Sequence, residues 1–327
     1  MNARVGARLI LVAAALLLLA ACRRGDDEPP TDSQTPGPSP TVPASPGNAT
    51  PGVAPGPRTE AGSVTVDGRA RTWRLYVPGS LRTGEAAPLV IGLHGGIGSG
   101  EQFARNTRFD EQAEAGGFLA VYPDGTGIAK TWNAGACCGY AQRNGVDDVA
   151  FISAVIDEIA AKYPVDAARV YAVGHSNGAM MALRLACEVP ERLAAVGAVA
   201  GSLETGCNPG RAVPVLLIHG DADESHPIEG GSGPNSLAGV EFNSVADTME
   251  TLRGANGCSA ETEIEAEGEV TTTRWACAEG ADVILEVIAG GPHAWPGGTG
   301  GIALIGEPSK ALDATAELWR FLSTHRR

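Results

Sequence analysis

Basic side chains are scarce in this sequence: 24 lysines and arginines stand against 38 aspartates and glutamates, a formal net charge of −14. An acidic surface repels phosphate groups, so we expect neither a nucleic acid nor a membrane surface as an electrostatic partner. Aromatic residues make up only 5% and charged residues 19% of the chain, whereas hydrophobic residues reach 43%. This balance excludes a wholly disordered chain and predicts a sizeable buried core.

The apolar run at the N-terminus is too short to cross a bilayer. Residues 9–21 are 13 uninterrupted apolar residues that follow two arginines, whereas a spanning helix needs about 20. A run of this length is typical of a signal peptide. It ends in Leu-Ala-Ala-Cys at residues 19–22, which resembles a bacterial lipobox, so we predict a lipoprotein signal over residues 1–22 with Cys22 acylated. An ordinary signal peptide with an incidental cysteine is the alternative.

Hydrophobic periodicity is absent from residues 23–60. Ten prolines lie between Pro29 and Pro57, mixed with serine, threonine and glycine. Such a segment cannot bury apolar area, so we predict a disordered tether. No internal repeat is visible, and residues 61–327 are interpreted as one domain, which we expect to be monomeric and to contact a membrane only through the lipid anchor.

Within that domain, short β-rich segments alternate with helical patterns. This order predicts an α/β fold with a mostly parallel central sheet and helices on both faces. Strands are predicted at 63–67, 72–77, 88–93, 118–122, 170–173, 193–199, 213–218 and 283–288, the first two as a hairpin turning at Asp67-Gly68. Helices are predicted at 149–159, 178–187, 242–255 and 310–323.

A candidate nucleophile follows one of these strands. Residues 174–178 are Gly-His-Ser-Asn-Gly, preceded by an apolar strand and followed by a helix rich in alanine, methionine and leucine. A serine on a tight strand-to-helix turn needs glycine on both sides, because a side chain there would collide with the neighbouring backbone. The pattern predicts Ser176 as a nucleophile, and a glycine-rich structural turn is the alternative.

A serine hydroxyl needs a histidine base, and the sequence has only six histidines. His293 follows the last predicted strand, which is where the base stands in the chain order serine, acid, histidine. The acid should follow an intervening strand, and there the sequence offers Asp223, which we prefer, and Asp221. The segment from His219 to His226 could instead bind a metal, but no second ligand set with suitable spacing accompanies it.

Acyl transfer also needs two donors for the oxyanion. We predict the backbone N–H groups of Gly96 and Asn177, the first in the glycine-rich loop 94–100 and the second just after the nucleophile. A dinucleotide site is the competing interpretation of that loop, with Asp124 as its acid, but the glycine spacing is wrong for it.

Several motifs together resemble a known family. They are Leu-His-Gly-Gly, Tyr-Pro-Asp-Gly, Trp-Asn-Ala-Gly-x-Cys-Cys-Gly, Val-Asp-Asp-Val-Ala-Phe, Gly-His-Ser-Asn-Gly and Pro-His-x-Trp-Pro. The set is similar to secreted polyhydroxybutyrate depolymerase-like esterases, which are grouped with the feruloyl and acetylxylan esterases of carbohydrate esterase family one. The resemblance covers residues 61–327 and implies an α/β-hydrolase fold, a triad of Ser176, Asp223 and His293, and no cofactor or metal. Ala179 replaces a glycine found in many members.

The remaining cysteines fit an exported protein. Six follow Cys22, and six cysteines allow fifteen pairings. Cys258 and Cys277 flank a short acidic segment that resembles a hairpin, and they are the preferred bridge. The other four could pair near the active site or stay reduced.

We therefore expect an exported serine esterase that acts on soluble or oligomeric esters: feruloyl, acetyl or short acyl esters, or hydroxybutyrate oligomers. Trp132 and Trp295 are candidate substrate contacts, because one lies in a family motif and the other follows His293. The region before residue 61 holds no second folded module, so crystalline polymer is expected to be a poor substrate. The alternatives are a depolymerase that attacks polymer and, in a different class, a catalytically inactive binding domain at the cell surface.

Overall fold

A computed structural model describes residues 56–82, 84–300 and 304–327. The predicted signal peptide, the lipobox Cys22 and most of the predicted tether lie outside the described residues. Ten strands and seven α-helices are found in this part of the chain. The strands are β1 Arg58–Val66, β2 Arg69–Val77, β3 Ala87–Leu93, β4 Leu119–Pro123, β5 Val165–His175, β6 Ala195–Val199, β7 Val215–Gly220, β8 Thr262–Glu267, β9 Val270–Trp275 and β10 Val283–Ile288. The helices are α1 Gly100–Thr107, α2 Phe109–Gly116, α3 Gly139–Arg143, α4 Asp148–Lys162, α5 Asn177–Glu188, α6 Val245–Ala255 and α7 Ala314–Leu322.

All ten strands form one sheet in the order β1-β2-β4-β3-β5-β6-β7-β10-β9-β8. The six strands from β4 to β10 in this order run parallel, and an antiparallel pair extends the sheet at each edge. Parallel strands are normally covered on both faces, and β3, β4, β6 and β7 are buried along their whole length. The predicted α/β class is confirmed.

Helices cover both faces of this sheet and divide the core in two. On one face, α4, α5 and α6 pack against side chains such as Leu89 and Leu217. On the other face, α1, α2 and α7 pack against the alternate side chains, for example Val90 and Leu216. Because consecutive side chains of a strand point to opposite faces, each central strand contributes to both layers.

Side-chain caps fix where several helices begin. Ser99 accepts the N–H of Gln102 at the start of α1, and Asp147 accepts that of Ala150 at the start of α4. Ser244 caps α6 in the same way. These caps satisfy N–H groups that have no partner inside the helix. The cap at Ser244 places the start of α6 three residues after the predicted position at 242.

The predicted start of the folded domain at residue 61 is wrong. Strand β1 begins at Arg58 and pairs with β2 in continuous register from Arg58 opposite Val77. Only alternate side chains of this edge strand are half-buried, and the others are exposed. The strand can therefore contain many polar residues, and its composition resembles that of the predicted tether. Glu60 is held by Arg58 and by the hydroxyl of Tyr163. The folded domain therefore includes residues 58–60, which the sequence had assigned to the predicted tether.

Among the described residues, no helix is both long enough and apolar enough to cross a membrane.

Candidate active site

Ser176 occupies the tight turn between β5 and α5. Its backbone has φ 55° and ψ −124°, a conformation that non-glycine residues rarely adopt. Its N–H donates to the carbonyl oxygen of Val199 on the adjacent strand at 2.9 Å. Strained backbone of this kind is found where the fold holds a functional side chain in a set direction. Here it directs the hydroxyl into a cavity.

The two glycines of the motif are required by close backbone contacts. A Cβ at Gly174 would lie 2.1 Å from the carbonyl oxygen of Gly178, and a Cβ at Gly178 would lie 2.1 Å from that of Leu93. Neither backbone oxygen can move without displacing a central strand or the start of α5. The turn therefore tolerates no side chain at either position, as predicted from the motif.

Ser176, His293 and Asp223 form a chain of hydrogen bonds. The Oγ atom of Ser176 is 2.9 Å from Nε2 of His293, and Nδ1 of His293 is 2.6 Å from Oδ2 of Asp223. A carboxylate can only accept here, so Nδ1 carries the proton and Nε2 is free to accept the serine proton. The structure thus brings together the three residues predicted as nucleophile, base and acid.

Asp223 is held by the backbone that follows it. Its Oδ1 atom accepts the N–H groups of Ser225 and His226, each at 2.8 Å. Burial alone would raise the pKa of Asp223. The hydrogen bonds from His293 and His226 lower it by more than burial raises it, so the pKa lies below its ordinary value. The buried carboxylate is therefore charged beneath the His293 imidazole.

The alternative acid, Asp221, faces elsewhere. It is exposed, and its carboxylate accepts the N–H of Gly290 at 2.6 Å. This contact fastens the end of β7 to the loop that carries His293. Asp221 is a structural residue in this arrangement, and Asp223, the preferred candidate, is the acid that contacts His293.

The other buried histidines around the site are neutral. Burial lowers the pKa of His175 to about 4 and, with help from nearby histidines, that of His226 to about 3. Nε2 of His219 lies 2.9 Å from the carbonyl oxygen of His226. Among the described residues, no group of three or more histidines, cysteines or acids is arranged to hold a metal ion.

Two backbone donors face the same cavity as Ser176. Gly96 and Asn177 both line it, and neither backbone N–H has a hydrogen-bond acceptor among the described residues. The loop that carries Gly96 is fixed by His94, whose Nδ1 is 2.7 Å from the Gly95 carbonyl oxygen and whose Nε2 accepts the N–H of Gly125 at 2.9 Å. Two preorganised N–H groups beside a serine can hold an oxyanion.

Asp124, the acid of the dinucleotide alternative, has a structural position. It accepts the N–H of Gly100 at 3.0 Å and the hydroxyl proton of Thr72 at 2.9 Å, and it pairs with Lys130 at 3.1 Å. These contacts fasten the glycine-rich loop to β2, so Asp124 is occupied by protein groups. The dinucleotide interpretation is not supported.

The prediction that Trp132 contacts substrate is wrong. Its side chain is 0% exposed, and its indole N–H donates to the carbonyl oxygen of His94 at 2.8 Å. Its backbone N–H and carbonyl bond to the two side-chain atoms of Asn177, at 2.7 and 3.1 Å. Trp132 therefore supports the loop that carries Gly96 and the start of α5. The tryptophan fills the core because its single polar group finds a partner there.

Trp295 is also largely buried, at 5% exposure, and donates its indole N–H to Thr315 at 3.0 Å. Its ring packs edge-on against Phe103, with centroids 5.4 Å apart. One side of it borders a small cavity of about 250 Å³ next to Ser176 and His293. Substrate contact by Trp295 is therefore limited to that small cavity, and its main contacts are with the core.

A larger cavity of about 860 Å³ opens over Ser176, and the side chains that form its apolar rim are not predicted from the sequence. The rim residues are exposed although they are large and hydrophobic: Ile97 63%, Ile128 108%, Tyr140 41% and Leu237 67%. The part of the chain that the structure describes exposes only one other such side chain, Ile264. Isolated isoleucines in glycine-rich loops, such as those at 97 and 128, are the signal that could have identified the rim. Exposed apolar side chains gathered at one cavity indicate a binding surface.

Three disulfides join the six cysteines of the domain. They link Cys137 to Cys138, Cys187 to Cys207, and Cys258 to Cys277. The preferred bridge between Cys258 and Cys277 is confirmed, and it closes the base of the β8–β9 hairpin. Cys138 lines the large cavity, so one of the other bridges does lie near the active site.

The chain is similar in sequence to known esterases. The family model described as "Esterase PHB depolymerase" matches residues 71–225. The protein named "Putative esterase NocK" from Nocardia uniformis subsp. tsuyamanensis is 36% identical over 260 residues, covering 74% of this chain and 75% of that protein. Feruloyl esterase B from Piromyces equi is 30% identical over 226 residues, which are 66% of this chain but 41% of the relative.

Solved structures give the same fold. An acetyl xylan esterase from Aspergillus awamori superimposes with a TM-score of 0.52 at 18% identity, covering 70% of this chain and 93% of that one. A cold-adapted esterase from an Arctic intertidal metagenomic library reaches the same TM-score at 17% identity, covering 83% and 95%. The fold is that of the α/β-hydrolase esterases. With the match to the family model and the relative that is 36% identical over 260 residues, this chain belongs to the esterase PHB depolymerase family and is a carboxylic ester hydrolase.

Proposed function

We propose that the protein is a serine esterase that works through an acyl-enzyme on Ser176. The observation that carries this proposal is the hydrogen-bonded chain from Ser176 through His293 to Asp223, which opens beside two N–H groups without acceptors among the described residues. No single one of these groups would suffice. A hydroxyl needs a base, the base needs a fixed tautomer, and the developing oxyanion needs donors.

In the first half-reaction, Oγ of Ser176 attacks the ester carbonyl carbon while Nε2 of His293 takes the serine proton. The carbonyl oxygen becomes an oxyanion held by the N–H groups of Gly96 and Asn177. The tetrahedral intermediate collapses, the bond to the alcohol oxygen breaks, and His293 returns its proton to that oxygen. Asp223 stabilises the imidazolium in between. The products are the free alcohol and an ester of Ser176.

In the second half-reaction, water repeats the same steps. His293 removes a proton from water, the hydroxide attacks the acyl carbon, and the same two N–H groups hold the second oxyanion. Collapse then breaks the bond to Oγ, which takes the proton back from His293. The carboxylic acid leaves, and the enzyme returns to its starting state.

The rim of Ile97, Ile128, Tyr140 and Leu237 favours esters with an apolar or flat part. Such a group would remove these side chains from water when it binds, which contributes on the order of 25 cal/mol per Å² buried. Named relatives include feruloyl esterases and a bifunctional acetylxylan esterase/xylanase. We therefore propose soluble or oligomeric esters as substrates: feruloyl, acetyl, short acyl or hydroxybutyrate esters. An inactive binding domain is disfavoured by the assembled triad.

The proposal is tested by the Ser176→Ala variant with p-nitrophenyl butyrate. We expect kcat to fall by more than about 10⁴-fold, because residues of a triad act as a unit. Ser63→Ala is the matched control, since Ser63 is exposed on the edge strand β1. Unchanged thermal unfolding of both variants would show that only the chemistry is lost. Turnover retained by Ser176→Ala would contradict the mechanism.

We also propose that the domain is exported and anchored to the cell envelope through acylated Cys22, with residues 23–57 as the tether. The lipobox-like sequence at residues 19–22 supports the anchor, and three disulfides fit an oxidising compartment. The Cys22→Ser variant should move from the membrane fraction to the medium. If it stays in the membrane fraction, the anchor is elsewhere and this part of the proposal is wrong.

A further inference from the structure

The large cavity over Ser176 has an unusual charge for this chain. The full sequence carries a formal net charge of −14, yet no aspartate or glutamate is found among the described residues that line the cavity. Among the lining residues that the structure describes, Arg143 is the single arginine or lysine, and the two histidines are His226 and His293. The mouth of the site is therefore apolar with one permanent positive charge.

Arg143 has no protein partner within the described part of the chain. It is exposed, and its guanidinium makes neither an ion pair nor a hydrogen bond to any described residue. By contrast, Arg184 on α5 donates to Glu188 at 2.7 Å and to the carbonyl oxygen of Asn133 at 2.6 Å. Most arginines of the domain are paired in this way, so the free guanidinium at the cavity is available to a ligand.

The helix that carries Arg143 is held against the cavity wall. At its start, a Cβ on Gly139 would lie 2.9 Å from Thr131, whose Oγ1 accepts the N–H of Ala141 at 3.3 Å. The Tyr140 side chain packs over Gly127, where an added Cβ would lie 2.7 Å from it. These contacts fix α3, so the root of the Arg143 side chain has a set position relative to the cavity.

We propose that Arg143 is a specificity-determining residue that binds a carboxylate carried by the substrate apart from its ester group. The inference rests on the proposed esterase function of the same cavity. A guanidinium offers paired N–H donors that match the two oxygens of a carboxylate, and no carboxylate among the described lining residues competes for them. The apolar rim contacts the remainder of the substrate. The substrate class is therefore an ester that presents an apolar part to the rim and carries one free carboxylate.

Two substrates share this chemistry: the acid end of a hydroxyacid oligomer, and a uronic acid on an acylated sugar chain. One arm of the test compares the 3-hydroxybutyrate dimer as the free acid with its neutral primary amide. The other arm compares acetylated xylo-oligosaccharides with and without a glucuronic acid branch. The two members of each pair differ only in the carboxylate or in the group that bears it. Each pair therefore measures how much Arg143 contributes to binding one kind of carboxylate.

In Arg143→Gln, we expect kcat/KM for the carboxylate-bearing member of at least one pair to fall about tenfold, mainly through KM. The neutral member should keep its wild-type value. Arg143→Lys should recover part of the loss, because it keeps the charge but not the paired donors. Arg69→Gln is the matched control, since Arg69 is exposed at the start of β2 and does not line the cavity.

The arm that responds identifies the source of the carboxylate. The proposal is overturned if neither arm responds, or if Arg143→Gln lowers kcat/KM equally for charged and neutral members. Neutral substrates separate the proposed esterase function from the proposed role of Arg143. Their hydrolysis depends on Ser176 whether or not Arg143 binds a carboxylate.

Discussion

The reactivity of Ser176 depends on two hydrogen bonds of His293, one at each ring nitrogen. The Asp223 carboxylate accepts the Nδ1 proton of His293. This leaves a lone pair on Nε2, which lies 2.9 Å from Oγ of Ser176. Loss of that carboxylate would allow the imidazole to adopt the other tautomer and would remove the charge that stabilises the imidazolium. The carboxylate, rather than the mere presence of a polar group, is what the site needs.

The Asp223→Asn variant tests this requirement. An amide at this position can donate to His293 and hold the wrong tautomer, so we expect kcat to fall by about 10⁴-fold while the fold is kept. Asp221→Asn is the matched control, because Asp221 lies two residues earlier and binds only the N–H of Gly290. Steady-state kinetics with p-nitrophenyl butyrate measure both. Equal effects of the two substitutions would contradict the assignment of Asp223.

Side chains with a chemical requirement could be predicted from the sequence, whereas side chains defined by packing could not. Ser176, His293 and Asp223 follow from a motif, a chain order and the small number of histidines. The place of Trp132 in the core depends on Asn177 and His94, which are distant in sequence. Periodicity and composition contain no information about such contacts.

The strand–turn–helix unit of β5 and α5 holds the nucleophile through backbone contacts. The start of α5 lies so close to the end of β3 that a Cβ on Gly178 would be 2.1 Å from the Leu93 carbonyl oxygen. Since β3 also leads into the loop with Gly96, the same contact sets the distance between Ser176 and the Gly96 N–H, the proposed nucleophile and one proposed oxyanion donor. Packing of these elements and catalytic geometry are therefore coupled.

A pair of glycine substitutions tests that coupling. Gly178→Ala should destabilise the protein by about 3 kcal/mol or more, because the added methyl group meets backbone. In Gly254→Ala, on the exposed face of α6, the Cβ meets nothing within 4 Å, and alanine should stabilise the helix by up to about 1 kcal/mol. Chemical denaturation measures both. A stable, fully active Gly178→Ala protein would refute the coupling.

Elements with strong periodicity were predicted well. The pattern over 149–159 predicts α4, found at Asp148–Lys162, and β10 has the predicted bounds. Helices α1 to α3 were missed because they are short and mostly polar, and packing against strands stabilises them more than their own sequence does. The predicted first strand begins at residue 63, whereas β1 begins at Arg58. The exposed side chains at the start of β1 are polar, so they give no strand signal in the sequence.

The stability of the whole domain should depend on a pair of acids between the sheet and α7. Glu286 on β10 is 5% exposed, and its Oε2 has no hydrogen-bond partner among the described residues. Burial, with the nearby Glu317 carboxylate, raises the pKa of Glu286 to about 8. Between the unfolded pKa of about 4.3 and this value, the folded chain holds a proton that the unfolded chain releases.

The contribution of Glu286 to the free energy of unfolding should therefore be largest below about pH 4.3. It should be lost as the pH rises through about 8. The slope from one group is at most about 1.4 kcal/mol per pH unit. In Glu286→Gln, the fall in Tm between pH 5 and pH 8.5 should be smaller than in the wild type. Glu265→Gln, exposed on β8, is the control. Identical pH slopes in wild type and Glu286→Gln would show that this acid does not control stability.

The proposed mechanism requires Ser176 as the nucleophile, and active-site labelling tests this requirement most directly. The protein is treated with a fluorophosphonate, and the modified peptide is identified by mass spectrometry alongside the residual esterase activity. We expect one label per chain, on Ser176, with activity lost in proportion to labelling. Full labelling at another residue, or activity that survives complete modification of Ser176, would contradict the proposed mechanism.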